Sequence, residues 1–307
     1  MKAIFLSGVG LFVMLLTLTG CDSLVQDVDS KNLPVVSRKL VVHSYISPQD
    51  TVLTVIVTEP RAVLGGQASQ DYYGTPVTNA TVELSDGTRP VRLVYSAYDR
   101  LYRATPQALP IRAGTTYTLT IAAPGYPTAT SQCTVPAVVL PSQISADSVT
   151  ETNFYDRLLY RARLDWQDPA GQTNYYRVSG VGLALVKVSY APRPNAPLRD
   201  TSYVVSTSLG FASTTLLSDD NRDGGAFSSV RGTVWKGAFP YTPQTIDMRL
   251  DLNHIDVNYY RYQEALERQR SVGDNPFAEP VLIPSNIQNG LGCFGAYTKS
   301  SLTVKIK

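Results

Sequence analysis

Histidine and cysteine are scarce in this chain of 307 residues, which has 2 His and 3 Cys. Sites built on several imidazole or thiolate ligands are therefore nearly excluded. A surplus of charge is also missing: 27 Lys and Arg face 25 Asp and Glu, for a formal net charge of +2. Without a basic field, no nucleic-acid partner is expected. After residue 20 no apolar run approaches the ~20 residues that a membrane-spanning helix needs. Charged residues make up 17% and hydrophobic residues 43%, which is too little charge for a disordered chain and enough apolar surface for one or two cores. What is plentiful is Tyr, 19 against 8 Phe, together with 21 Gly and 20 Pro. That mixture suits strands joined by many turns. At ~150 residues per domain, the length suggests about two domains.

The first twenty residues read as a lipoprotein signal peptide. Met1-Lys2 gives a short positive start, and Ala3 to Leu18 is almost wholly apolar. Leu18-Thr19-Gly20-Cys21 then resembles a bacterial lipobox. In such proteins cleavage precedes the cysteine, whose thiol and new amino group are acylated, so Cys21 is the expected lipidation site. A membrane-spanning helix is the competing reading. It is disfavoured because the run is only ~16 residues and ends small-small-Cys. Several acyl chains anchor stably where one does not. Residues 21–37, with Asp22, Asp27 and Asp29, read as a flexible tether. The expected location is the outer membrane, lipid-anchored, on its periplasmic or cell-surface face.

From Lys39 onward the chain alternates. Strands are predicted at 40–46, 51–58, 80–85, 91–95, 101–104, 116–121 and 129–135, separated by turn signals such as Asp86-Gly87 and Pro124-Gly125. Seven short strands in ~100 residues predict an immunoglobulin-like β-sandwich over 38–137. The Cys-Trp-Cys signature of true immunoglobulin domains is absent. Val138 to Ser142 reads as a link. Residues 138–307 read as a β-rich domain, with strands at 158–166, 175–185, 203–207, 227–235, 245–252 and 301–305. One helix is predicted over 256–272, near the C-terminal end. Ile255, Tyr259, Tyr262 and Leu266 share one face of it, Asp256 can cap its start, and Glu264 and Arg268 form an i,i+4 pair. The fold class is thus mainly β.

Chemical motifs are sparse. Asp219-Asp220-Asn221-Arg222-Asp223-Gly224 matches the opening of a calcium loop, with Asp219, Asn221 and Asp223 as candidate metal ligands. Position twelve of that loop is Val230 instead of the bidentate Glu, and Asp, Asn and Gly also make ordinary turns. Tyr72 and Tyr73, in the long 59–76 loop, are candidates for stacking on a ligand such as a sugar ring. No G-x-S-x-G elbow occurs, and His43 and His254 lie in plain structural contexts. Gly232 and Gly237 have P-loop spacing, but Ala238 replaces the Lys. Cys133 and Cys293 read as two buried thiols. No catalytic residue and no cofactor is expected.

The most specific stretches lie late in the chain. They are Asn174-Tyr175-Tyr176, Asn275-Pro276-Phe277-Ala278-Glu279-Pro280 and Ser285-Asn286-Ile287 through Asn289-Gly290-Leu291-Gly292-Cys293-Phe294-Gly295-Ala296-Tyr297. With the lipobox and the opening Lys39-Leu40-Val41-Val42, they resemble bacterial lipoproteins of the domain of unknown function 4249 (DUF4249) family, typical of Bacteroidota-type genomes. Cys293 departs from the aliphatic residue usual there, which favours a buried small hydrophobe. The family has no established activity, so the resemblance carries over no functional residue but Cys21. It does imply neighbourhood with TonB-dependent outer-membrane receptors. The resulting expectation is a non-enzymatic accessory or binding subunit of a TonB-dependent uptake system. A glycan-binding surface module and a surface hydrolase are the alternatives.

Overall fold

The computed structural model describes residues 38–60, 74–151, 157–193, 196–240, 243–272, 279 and 281–306. The protein is mainly β, with one sheet of 12 strands, one of 5, and, among the described residues, one α-helix near the C-terminal end. The first seven strands are β1 (Leu40–Ile46), β2 (Leu53–Thr58), β3 (Thr81–Ser85), β4 (Pro90–Ser96), β5 (Leu101–Ala104), β6 (Thr116–Ala122) and β7 (Ala129–Thr134). Alternation along these strands decides which face is inside. In β1, Leu40, Val42, Ser44 and Ile46 are buried while Val41, His43 and Tyr45 point to the other face. The strands follow one hydrogen-bonded path, β1-β2-β5-β4-β3-β6-β7, around a core that includes Val55, Val82, Leu84, Leu93, Leu119 and Ile121.

Two tyrosines pin the loops to this core. The Tyr102 hydroxyl donates to the Val77 carbonyl and accepts from the Ala80 N–H, both at 2.8 Å. The Tyr117 hydroxyl donates to the Pro110 carbonyl and accepts from the Arg112 N–H, both at 2.9 Å. Tyr117→Phe leaves both backbone groups without this partner. The expected cost is about 1–2 kcal/mol, read as a lower urea midpoint with an unchanged slope.

The second half contains β8 (Pro141–Glu151), β9 (Arg157–Gln167), β10 (Tyr175–Tyr190), β11 (Arg199–Ser208), β12 (Gly210–Phe211), β13 (Leu216–Ser218), β14 (Ala226–Ser228), β15 (Gly232–Trp235), β16 (Thr245–Ile255) and β17 (Gly290–Lys305). The 5-stranded sheet joins β12-β15-β9-β14, with β8 added along β9. It packs on β10 and β16 over a second core of Ala162, Leu164, Trp166, Val178, Ala184, Ile246, Met248 and Leu250. Three sequence expectations need correction. Residues 141–142 open the 11-residue strand β8 instead of a link; its mostly exposed, polar pattern hid it. The strand predicted at 227–235 is two short ones, interrupted where Ser229 bonds Leu164 through backbone and hydroxyl. The last strand starts at Gly290, not Ser301.

That last strand serves both halves of the chain. Its first part pairs parallel with β1, Leu40↔Gly290 to Ile46↔Ala296, and its second part antiparallel with β16, Ile255↔Tyr297 to Asp247↔Lys305. Glycine permits this. Gly292 has φ +107°, and a Cβ there would meet the Val42 carbonyl oxygen at 2.0 Å. At Gly295 a Cβ would lie 2.9 Å from the Tyr259 Cβ, so the helix also packs directly on the strand.

The helix α1 (Val257–Val272) crosses the outer face of β1 and β17. Tyr259 lies 4.4 Å from Tyr45 between ring centroids, the Tyr262 hydroxyl is 2.7 Å from His43 Nε2, and Ala265 is fully buried. The Glu264–Arg268 pair is present at 3.5 Å. Asp256 caps the helix: one carboxylate oxygen accepts from the N–H groups of Asn258 (2.7 Å) and Tyr259 (3.2 Å), the other from Ala296. Burial nevertheless pushes this carboxyl up to about 6, against the lowering effect of those N–H donors. A carboxyl raised in the folded state holds extra protons there between pH 4 and 6. Its stabilising contribution is complete below pH 4 and is lost as pH rises through 6. A fall of about 3 kcal/mol between pH 4 and 7 is expected from this group, read from urea midpoints against pH in wild type and Asp256→Asn.

Candidate functional site

Three carboxylates converge where β9 and β13 end. Asp168 follows β9, Asp219 follows β13, and Asp223 lies in the next turn; one oxygen from each falls within 4.8 Å of the others. The local sequence builds this meeting. Asp219 to Gly225 is a run of turn residues, closed by Arg222 N–H to the Asp219 carbonyl (2.6 Å) and Gly225 N–H to the Arg222 carbonyl (2.8 Å). It docks on the Pro169-Ala170-Gly171 turn after β9. Gly171 N–H donates to both oxygens of Asp223 at 2.9 and 3.0 Å, and Gly224 N–H donates to Asp168 at 2.9 Å. Asn174 N–H donates to Asp219 at 2.9 Å.

Beneath the acids lies an aromatic floor. Trp166 stacks on Phe227 at 5.6 Å and meets Tyr176 edge-on at 5.3 Å, and the Tyr176 hydroxyl donates to Asp168. Asp168 and Asp219 are each only 3% exposed, whereas Asp223 is exposed. Burial first, and then the facing Asp168 and Asp223, raise the Asp219 carboxyl above the ordinary range. The cluster opens on a crevice lined by Gly171, Gln172, Thr173 and Asp219 to Asp223. Chemically, three such carboxylates are hard oxygen donors of the kind a hard cation takes. Their oxygens are three of the six to eight that calcium takes.

The sequence reading named two of these three acids. Asn221 lines the crevice beside them. Asp168 was missed because it lies some fifty residues upstream and reads as the first residue of a tight turn. The signal available was an acid set directly after an alternating strand that ends in Trp166-Gln167. Tyr72, Tyr73 and Cys21 lie outside the described residues.

The remaining candidates have structural partners. His43 bonds Tyr262, and His254 Nδ1 lies 2.7 Å from the Ala137 carbonyl; burial lowers both imidazoles from their usual range. Cys133 and Cys293 are buried free thiols, and burial pushes Cys293 up to about 12, far from a thiolate nucleophile at neutral pH. Trp235 is 42% exposed, with the Arg157 guanidinium over one face of its ring at 4.9 Å. A second concavity, of about 590 Å³, has Val41, Ile56, Pro60 and Pro76 in its wall, with His43, Glu59, Asp99 and Arg100 as its ionisable groups.

A family model described as "Domain of unknown function (DUF4249)" matches residues 22–303. No curated protein matches the chain.

Proposed function

The chain belongs to the DUF4249 family, and from that premise we propose that it is a lipid-anchored protein of the bacterial outer membrane that binds rather than transforms its ligand. The observation that carries this reading is Leu18-Thr19-Gly20-Cys21, which closes an apolar run directly ahead of the family match beginning at residue 22. Acylation of Cys21 ties the folded part to the membrane through the 21–37 tether. The concavity of about 590 Å³, with apolar walls and a few ionisable groups, has the size and lining of a small-molecule site. The ordinary structural bonds of both histidines and the raised thiols favour binding over nucleophilic catalysis.

The partner in this reading is a TonB-dependent receptor, which the protein serves as an accessory subunit. Extraction of a C-terminally tagged chain in mild detergent is expected to bring down such a receptor in stoichiometric amount. Recovery of the chain alone contradicts the partnership.

The first seven strands we read as immunoglobulin-like. Lettered in chain order, β1-β2-β5-β4 and β3-β6-β7 run A-B-E-D and C-F-G, the order of the seven-stranded immunoglobulin sandwich. Tyr117, near the start of β6, reaches seven residues back to the Pro110 carbonyl, as the tyrosine corner of that fold does. Such sandwiches most often serve as rigid carriers of binding surfaces, which agrees with a non-enzymatic role.

A further inference from the structure

The 12-stranded sheet treats its two ends differently. At one end the outer side of β7 is engaged: Thr130 exchanges backbone hydrogen bonds with Gln288 at 3.2 and 2.8 Å, and the Ser131 hydroxyl donates to the Asn286 carbonyl at 2.8 Å. At the other end β11 pairs with β10 from Val181↔Ser208 to Tyr190↔Arg199. Among the described residues, none pairs with its outer side. A free edge of 10 residues is a template for another strand. Sheets usually protect such edges with proline, lysine, inward charge or a bulge. From Thr201 to Ser208 every residue is Ser, Thr, Tyr or Val. Charge occurs only at Arg199 and Asp200, and Asp200 is already paired with Lys187 at 2.6 Å. Tyr203 and Val204 are 44% and 63% exposed.

The edge reads almost the same in both directions. Thr201-Ser202-Tyr203-Val204-Val205-Ser206-Thr207 is symmetric about Val204, apart from the exchange of Tyr203 for Val205. Symmetry of this kind matters for one partner in particular. When two copies of a strand pair antiparallel, the two-fold axis stands normal to the sheet and keeps each face on its own side. Opposed side chains share a face, so one residue must sit on the axis. With Val204 there, it meets its own copy, Tyr203 meets Val205, Ser202 meets Ser206 and Thr201 meets Thr207. Aromatic with β-branched, and Ser or Thr with its like, are favourable cross-strand pairs. Asp200 falls opposite Ser208, so no like charges meet. The contact is the same patch on both copies and closes as a dimer.

We propose that β11 pairs antiparallel with β11 of a second copy, about a two-fold axis through Val204, joining two 12-stranded sheets into one. Anchored copies share one plane, which raises their effective concentration.

Cysteine cross-linking of the full chain in whole cells tests this. Val204→Cys places two thiols face to face on the axis. Ser206→Cys places them four residues apart, ~13 Å, beyond the reach of a disulfide. Under mild oxidation Val204→Cys is expected to give at least tenfold more covalent dimer than Ser206→Cys or wild type. The double variant Ser202→Cys with Ser206→Cys is expected to restore the dimer. In a second arm, Val204→Lys sets like charges on the axis and is expected to cut co-purification of two differently tagged copies at least tenfold. Val204 is exposed, so none of these changes threatens the core. Absence of a Val204→Cys dimer, equal dimer from Val204→Cys and Ser206→Cys, an adduct with a different protein, or co-purification unmoved by Val204→Lys each overturns the proposal.

Discussion

Cys21→Ser is expected to abolish labelling by radioactive palmitate almost completely and to keep the protein out of the outer-membrane fraction, as a precursor that retains its apolar Ala3 to Leu18 run. The acyl chains contribute additively. Each buried methylene of an acyl chain contributes about 0.8 kcal/mol, and one chain alone binds only marginally. Two or more chains on one cysteine anchor stably. Past residue 20 no apolar run has spanning length. The serine variant also keeps an unprocessed N-terminus, so it migrates as a larger species. Folding should be untouched, because Cys21 lies 17 residues ahead of Arg38, the first described residue. Urea unfolding of the detergent-extracted variant and the wild type checks this; equal midpoints are expected.

The second large effect is structural. Gly292→Ala is expected to cost about 4 kcal/mol or more, a large share of the 5–15 kcal/mol that holds a typical domain together. Two penalties combine there. The backbone sits at φ +107°, which side chains rarely adopt, and the added methyl would lie 2.0 Å from the Val42 carbonyl oxygen. No rotamer relieves that clash, since the Cβ position is fixed by the backbone. The parallel pairing of Leu40–Ile46 with Gly290–Ala296 must open, and Phe294 and Ala296 would leave the first core. Gly114→Ala is the matched comparison. It also has positive φ, +76°, but a Cβ there meets nothing within 4 Å. Its expected cost is only about 1–2 kcal/mol. Soluble yield and urea midpoints of the two variants separate the clash from the strain. Similar losses at both sites would contradict the account of β17 as the shared strand.

What the sequence disclosed depended on how local the cause was. Leu40–Ile46 and Thr116–Ala122 were legible because one side of each strand is core, and the period of two shows directly in the residues. The helix was legible too: the spacing of Tyr259 and Tyr262 placed the face that meets Tyr45 and His43, and Asp256 announced its cap. Gly290 to Tyr297 was not, because its glycines look like turns until β1 and the helix are seen lying against them. Pro141–Glu151 failed for the opposite reason, being a polar edge strand that shows no apolar stripe. The carboxylate site was half legible. Asp219 and Asp223 share one turn, whereas Asp168 arrives from another strand end, and no linear spacing joins them.

Mass spectrometry of the N-terminal peptide of the mature protein, purified from its own membrane, tests the central claim most directly. The account predicts a chain that begins at Cys21, carrying a diacylglyceryl group on sulfur and an acyl group on the new amino terminus. An unmodified Cys21, or a mature chain that starts elsewhere, would contradict it.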